Sequence, residues 1–149
     1  MEKGTVRTFQ FGTETHQKAI ELRLEILRKP LGLTFSEEFL EKEKNDWHVG
    51  YFDTKGDLLG CLILTPVEDQ TQLKMRQVAV NKSVQGQGIG SDLVRFSELF
   101  AIEKGFQTIV LNARATAVPF YLQLGYNCEG EPFEEVGIPH RKMTKQLRS

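Results

Sequence analysis

The chain has 149 residues, 40% of them hydrophobic, and its 19 basic and 20 acidic residues give a net charge of −1. This length predicts one domain over residues 1–149, with a core large enough to fold without a metal or a disulfide. The balanced charge argues against a nucleic-acid-binding protein. The longest apolar stretch, Leu58 to Leu64, is far shorter than the roughly 18 residues that span a bilayer, so no membrane association is expected.

The two cysteines, Cys61 and Cys128, lie in apolar surroundings and cannot form a disulfide framework. The opening Met-Glu-Lys-Gly is not followed by the apolar region of a signal peptide. Both observations predict a cytoplasmic protein with buried, reduced thiols.

The first elements are predicted to be a strand and a long helix. Residues 5–11 are rich in Thr, Val and Phe, which favour a strand. Thr13 or Thr15 is a candidate cap for a helix that runs to Lys29, where Pro30 ends it.

A short helix and three strands are predicted next. Ser36 followed by two glutamates indicates a capped helix start. The apolar segments 47–52, 58–66 and 72–80 are typical of strands, and the short turns between them predict antiparallel neighbours.

The C-terminal half predicts a helix over 91–104, a strand over 107–112, a helix over 116–124, and strands over 126–130 and 141–147. The order of elements predicts an α/β (α+β) fold, in which a mixed, mostly antiparallel central sheet of about six to seven strands carries helices on both faces.

A glycine-rich segment, Gln85 to Ser91, leads from a strand into a helix. Glycines let the backbone approach a ligand closely, and the free N–H groups at a helix start favour a phosphate or pyrophosphate. An ATPase-type phosphate loop is excluded because Gly90 is followed by Ser-Asp rather than Lys-Ser/Thr. A dinucleotide-binding fingerprint needs Gly-x-Gly-x-x-Gly in a parallel sheet. Here the spacing is Gly-x-Gly-x-Gly and antiparallel hairpins precede it, so a dinucleotide site is disfavoured. A capping loop without a ligand remains the alternative.

Three segments resemble the GNAT superfamily of acyl-CoA N-acyltransferases. Gln85-x-x-Gly88-x-Gly90 is similar to that family's pyrophosphate signature, Gln/Arg-x-x-Gly-x-Gly/Ala. Residues 111–126, which contain Phe-Tyr-Leu-Gln-Leu-Gly-Tyr, are similar to its strand, helix and Phe-Tyr-x-x-x-Gly-Phe/Tyr segment. Residues 137–143 resemble the region of its last two strands. The resemblance covers residues 72–145 and implies a GNAT-like fold with acetyl-CoA as cosubstrate and no metal.

The resemblance implies that CoA lies along residues 72–80 and the loop that follows. The implied contacts are Val78, Ala79, Val80, Gln85, Gly86, Gln87, Gly88, Ile89, Gly90, Ser91 and Phe120. In 72–80 the apolar positions are odd-numbered at first and even-numbered later, which a β-bulge near residues 76–78 explains. A strand buried on both faces is the alternative.

The resemblance makes Tyr121 the proton donor to the CoA sulfur, and a phenol is protonated at neutral pH; an interfacial aromatic is the alternative. A backbone N–H near Val78 is the candidate donor to the thioester carbonyl. No Asp or Glu lies in 72–80, so His140 and His48 are the candidate bases, followed by Glu131, Glu134 and Glu135. His140 is the candidate base or substrate ligand, and a water relay is the alternative.

The predicted function is transfer of the acetyl group of acetyl-CoA to a primary amine of a small molecule or peptide, by direct attack in a ternary complex. A non-catalytic acyl-CoA sensor on the same fold is the alternative. The acceptor pocket is expected from the first helices and their loop, residues 28–35, with Trp47 and Tyr51 across from the last strands. A homodimer formed by pairing of exposed strand edges is neither predicted nor excluded.

Three basic residues of the first helix either recognise a carboxylate or form a solvated face, and the solvated face is favoured. These residues are Arg23, Arg28 and Lys29.

Overall fold

The computed structural model describes residues 3–67 and 69–147. These residues form seven strands and four α-helices. In chain order they are β1 (Thr5–Phe9), α1 (Glu14–Arg23), α2 (Glu37–Glu41), β2 (Trp47–Phe52), β3 (Leu58–Val67), β4 (Gln72–Val80), α3 (Ile89–Glu103), β5 (Thr108–Arg114), α4 (Val118–Gln123), β6 (Asn127–Glu135) and β7 (Ile138–Gln146). The strands form one sheet in the order β1-β2-β3-β4-β5-β7-β6.

The sheet is mixed and mostly antiparallel, as the sequence predicts. β1 pairs antiparallel with β2, β2 with β3, β5 with β7 and β6 with β7. β4 pairs parallel with β5. Within the described ranges, no helix is both long enough and apolar enough to cross a membrane.

Contacts between residues divide the chain into two compact units. The first contains Met1–Thr65 and Gln77–Ser97, and the second contains Pro66–Arg76 and Glu98–Ser149. A single domain over residues 1–149 therefore stays a prediction.

In the first unit, α1 packs on β3. Thr13 caps this helix, since its hydroxyl accepts from the N–H of His16 at 3.3 Å. Ala19 of α1 lies in a buried cluster with Cys61 of β3, whose thiol lies 4.0 Å from the carbonyl of Ala19. This packing encloses the thiol, and burial raises the pKa of Cys61 to about 12.

Helix α3 covers the other face of β3. A Cβ added at Gly60 would lie 3.0 Å from side-chain carbons of both Ile89 and Leu93 of α3. Because neighbouring residues of a strand point to opposite faces, Gly60 and Cys61 place α3 and α1 on opposite sides of the sheet. The predicted helices on both faces are thus present in this unit.

The first helix differs from its predicted course. The α-helix ends at Arg23 and continues as a π-helical turn, Leu24–Arg28, and then a 3₁₀ turn, Lys29–Leu31. The chain is therefore helical as far as the predicted end at Lys29, but its last turns are not α-helical. A pattern of apolar residues cannot distinguish a π turn from the α-helical turns before it.

In the second unit, the hairpin of β6 and β7 is longer than predicted. β6 continues to Glu135 rather than stopping near residue 130, and β7 begins at Ile138 rather than residue 141. Pro132 lies within β6, where the pairing register shifts between Glu129 and Phe133. A proline lacks the N–H for a regular ladder, and it is tolerated at such an irregularity of an edge strand.

Other boundaries shift by a few residues. β1 ends at Phe9 rather than residue 11, and α3 begins at Ile89 rather than residue 91. β5 extends to Arg114 rather than residue 112, and the last helix begins as a 3₁₀ turn, Ala115–Ala117, before α4.

Candidate active site

β4 changes conformation at Gln77. The parallel ladder joins Gln72–Met75 of β4 to Thr108–Leu111 of β5. Two residues later, Gln77 has φ 55°, a left-handed conformation that residues with side chains rarely adopt. The irregular backbone lies within residues 76–78, where a β-bulge is predicted, and the strand continues through it to Val80. The buried positions Leu73, Met75 and Ala79 are all odd-numbered, so the predicted change from odd to even positions is wrong.

The loop after β4 is anchored to the sheet. The N–H of Asn81 donates to the carbonyl of Leu59 on β3 at 2.8 Å, and the side-chain oxygen of Asn81 accepts from the N–H of Ser83 at 3.0 Å. The side-chain amide of Gln85 donates to the carbonyl of Val80 at 3.0 Å. Gln85 therefore fixes the loop against the end of β4.

The loop then leads into α3 through glycines in the left-handed region. Gly86 and Gly88 have φ 85° and 86°, and a Cβ at either would meet no atom within 4 Å. The N–H of Asp92 donates to the carbonyl of Gly88 at 3.0 Å and closes the first turn of α3. The N–H groups within that turn have no carbonyl ahead of them in the helix. The result is an open helix start at which an anion can approach the backbone.

A cavity of about 410 Å³ lies next to this loop, within the first unit. It is lined by Leu22, Glu25, Ile26, Pro30, Asn81, Lys82 and Gln85. Its walls combine apolar side chains and the carboxylate of Glu25 from the region of α1 with amide groups and an ammonium group from the loop.

Part of the expected acceptor pocket is in the interior. Tyr51 is 2% exposed, and its hydroxyl accepts from the N–H of Gly4 at 2.9 Å. The expectation that Tyr51 lines a pocket is therefore wrong. Pro30, which belongs to the predicted segment 28–35, does line the cavity.

Arg23 is buried in an ion pair. Its two terminal nitrogens lie 2.9 and 2.8 Å from the two carboxylate oxygens of Glu43, and both side chains are at most 1% exposed. The guanidinium also lies 4.7 Å from the ring centre of Phe35. The prediction that Arg23 belongs to a solvated helix face is therefore wrong. Lys29, by contrast, forms a solvent-exposed ion pair with Glu25 at 3.1 Å.

Two buried histidines, His16 and His48, lie beside this ion pair. Their ring centres are 5.0 Å apart. His16 accepts from the N–H of Gly12 at 3.1 Å and its other ring nitrogen is buried without a partner. Nε2 of His48 lies 3.0 Å from the carbonyl of Glu43. Burial is the main cause that lowers the pKa of both histidines.

Tyr121 is buried on α4. It is 6% exposed, and its ring lies edge-on to Phe120 and Tyr126 at 5.0 and 5.7 Å. Burial raises the pKa of Tyr121 to about 12, so the phenol keeps its proton throughout the neutral range.

The end of α4 is held by Lys145 and Glu98. The Lys145 ammonium donates to the carbonyl of Leu124 at 2.7 Å and to the carboxylate of Glu98 at 3.0 Å. The hydroxyl of Tyr126 also donates to Glu98 at 3.0 Å. A cation at a helix C-terminus is favourable, and this network fixes the helix that carries Tyr121.

His140 lies in the β6–β7 hairpin and is 3% exposed. Its Nδ1 is 2.9 Å from the carbonyl of Ile138, its Nε2 is 3.6 Å from the carboxylate of Glu135, and its ring stacks on Phe133. Both nitrogens therefore face groups of the hairpin itself. These contacts favour a structural role within the hairpin, and a role as base or substrate ligand stays a prediction.

No group of three or more His, Cys, Asp or Glu side chains that could hold a metal occurs within residues 3–67 and 69–147.

A family model described as the acetyltransferase (GNAT) domain matches residues 28–147. The chain belongs to the GNAT acetyltransferase family. Its GNAT domain includes β4, the glycine loop, α3 and the segment of Tyr121.

Curated relatives and solved structures agree with this membership. The chain is 37% identical over 73 residues to the uncharacterized N-acetyltransferase YjcF of Bacillus subtilis, a match that covers 48% of this chain and 52% of YjcF. The chain thus spans about half the length of the curated relatives it matches.

Two solved structures with the same fold contain CoA species. An aminoglycoside 6′-N-acetyltransferase complexed with coenzyme A matches with a TM-score of 0.81 and 19% identity, over 97% of this chain and 98% of that chain. A GNAT acetyltransferase from Elizabethkingia anophelis with acetyl-CoA bound matches with a TM-score of 0.76 and 20% identity, over 99% of this chain and 100% of that chain. At these identities the likeness establishes the fold.

Sequence reasoning did not find the Arg23–Glu43 pair. A signal was present, because Arg23 lies four residues after Ala19 and shares its buried helix face. A charged residue on such a face indicates a buried partner.

Proposed function

We propose that this protein transfers the acetyl group of acetyl-CoA to a primary amine of a small molecule or peptide, by direct attack in a ternary complex. The observation that carries the proposal is the open start of α3, where Gly86 and Gly88 leave the backbone accessible. Such a helix start binds the pyrophosphate of an acyl-CoA by the physics of helix N-termini. Membership of the GNAT family supports it.

The cosubstrate would lie along β4 and the loop. The backbone of Gln85–Ser91 would hold the pyrophosphate, Val78–Val80 would hold the pantetheine arm, and Phe120 would contact it from α4. Lys82 in the adjacent cavity adds positive charge beside the phosphates. The CoA and acetyl-CoA bound by two structural neighbours support this cosubstrate.

In the proposed reaction, the amine nitrogen attacks the thioester carbonyl and forms a C–N bond. The carbonyl oxygen becomes an oxyanion, which a backbone N–H near Val78 stabilises. As the carbonyl re-forms, the C–S bond breaks and the thiolate takes the proton of Tyr121, which burial keeps protonated. The phenolate is then reprotonated from solvent, and the attacking amine loses its proton to a water relay.

A non-catalytic acyl-CoA-binding role is the second candidate. It is favoured by the lack of Asp or Glu in residues 72–80 and by the burial of His48 and His140. Both candidates bind acyl-CoA and differ in turnover. Cytoplasmic location remains a prediction, and a homodimer is still neither predicted nor excluded.

The test is thermal unfolding with and without saturating acetyl-CoA, with NADH and ATP as controls. A ligand at one hundred times its Kd adds about 2.7 kcal/mol, or roughly 5 to 10 °C at this size. A shift with acetyl-CoA alone supports the proposed site, and a shift with NADH alone contradicts it. Release of the CoA thiol with a panel of primary amines then separates the enzyme from the sensor.

A further inference from the structure

Gln77 combines two unfavourable features in one residue of β4. Its backbone is left-handed, with φ 55°. Its side-chain oxygen is buried and has no hydrogen-bond partner. A buried acceptor without a partner is rare in folded proteins because it loses its bonds to water and gains none. Both features therefore require an explanation.

The position of Gln77 distinguishes it from comparable residues. Four residues other than glycine have positive φ in the described part of the chain: Asp69, Gln70, Gln77 and Val136. Asp69 and Gln70 lie between β3 and β4, and Val136 lies between β6 and β7, where the chain reverses. Gln77 lies inside a strand, where no reversal requires the conformation. Strain of this kind is concentrated at ligand sites.

The chemistry of the side chain limits what it can bind. A primary amide is neutral, with one acceptor oxygen and two N–H donors, so it does not act as a base. Phosphates are bound by cationic groups or free backbone N–H groups. A secondary amide, by contrast, offers one N–H and one carbonyl, which match the acceptor and donor of Gln77.

Gln77 directly precedes Val78–Val80, the segment proposed above for the pantetheine arm, and the phosphate loop lies further along the chain. The terminal torsion of a glutamine is broad, so its oxygen can turn toward a ligand beside the strand. On the basis of the proposed function, we propose that the side-chain amide of Gln77 binds an amide group of the pantetheine arm of acyl-CoA. This contact adds a side chain to the backbone contacts of β4.

The test compares two ligands by isothermal titration calorimetry. CoA contains the pantetheine arm, whereas adenosine 3′,5′-bisphosphate has phosphates and no pantetheine. Gln77→Leu keeps the approximate size of the side chain and removes its hydrogen bonds. We expect about a tenfold loss of CoA affinity, the effect of about one net hydrogen bond, with the affinity for the bisphosphate changed less than about twofold.

The matched control is Gln70→Leu. Gln70 also has a positive φ, 68°, but it is exposed in a turn. This variant carries the same substitution in the same backbone region, and it should leave both affinities unchanged. Loss of CoA affinity in Gln70→Leu as large as that in Gln77→Leu would overturn the proposal.

A second variant separates binding from stability. Gln77→Gly relieves the left-handed backbone and removes the amide, so it should be at least as stable as the parent protein in urea and still bind CoA about tenfold more weakly. Unchanged CoA affinity in either Gln77 variant overturns the proposal, as does an equal loss for both ligands. If the parent protein binds neither ligand, the proposed function itself fails, and that outcome is distinct from an effect of Gln77.

Discussion

The guanidinium of Arg23 and the carboxylate of Glu43 form two parallel hydrogen bonds of 2.9 and 2.8 Å across twenty residues of chain. Both side chains are removed from water. The pair joins α1 to the segment after α2, and the Arg23 guanidinium also packs on Phe35. It therefore fixes the conformation of the chain between the first helix and β2.

Replacing one member of this pair should destabilise the protein strongly. Glu43→Gln leaves the Arg23 charge buried without a counter-charge, and we expect a loss of about 3 to 5 kcal/mol in the free energy of unfolding, measured in urea. The double variant Arg23→Met/Glu43→Leu should recover most of the loss, because no charge is then buried.

The control for this prediction is Glu41→Gln. Glu41 forms an exposed ion pair with Lys44 at 3.9 Å, and such pairs contribute about 0 to 1 kcal/mol. If Glu43→Gln and Glu41→Gln lowered the free energy of unfolding equally, burial of the ion pair would not determine the size of the loss.

The open start of α3 predicts the effect of a side chain in the loop. Gly88→Asp places a carboxylate against the proposed pyrophosphate site, so CoA affinity should fall at least tenfold, or about 1.4 kcal/mol, in a titration. The matched control is Gly56→Asp, because Gly56 also has positive φ, 87°, and a Cβ added there would likewise meet no atom within 4 Å. The two variants should lose a similar amount of unfolding free energy. Equal CoA affinity in both variants would contradict a pyrophosphate site at the start of α3.

Tyr121→Phe tests the proton donor. With an amine identified by the screen, kcat should fall by about 10²- to 10⁴-fold, while the Kd for CoA stays within about twofold. The pKa of about 12 predicts that Tyr121 causes no loss of rate between pH 7 and 10.

Tyr126→Phe is the control for Tyr121, because it removes a hydroxyl from the same aromatic group. That hydroxyl donates to Glu98, so the variant should lose about 1 kcal/mol of stability and retain kcat. An unchanged kcat in Tyr121→Phe would exclude the proton-donor role.

The buried histidines predict a dependence of stability on pH. The pKa of both His16 and His48 is lowered in the folded protein, so below about pH 6.5 the unfolded chain binds protons that the folded chain does not. The free energy of unfolding should therefore decrease as the pH falls from 7.5 to 5.5, and level off below the lowered pKa values. Each histidine changes the free energy of unfolding by at most about 1.4 kcal/mol per pH unit.

The double variant His16→Phe/His48→Phe should flatten this dependence, and Tyr126→Phe should retain it. Urea unfolding at pH 7.5, 6.5 and 5.5 measures both. A slope that survives in the double variant would assign the pH dependence to other groups.

Local signals predicted much of the fold and the loop that belongs to the candidate site. The glycine loop, the cap at Thr13 and the irregular backbone near Gln77 each depend on a few neighbouring residues. The Arg23–Glu43 pair was missed because its members lie twenty residues apart. The position of Arg23 on the helix face of Ala19 indicates burial, but it does not identify the partner. The length of β6 was missed because Gly130 and Pro132 are typical of a turn.

The composition of β6 also affects how the protein behaves at high concentration. β6 is the last strand of the sheet and carries Glu129, Glu131, Glu134 and Glu135 around Pro132. An edge strand with free backbone groups can recruit a strand from another molecule, but a proline interrupts the hydrogen bonds and like carboxylates repel each other. Two copies of this edge therefore resist pairing, which limits growth of the sheet into aggregates.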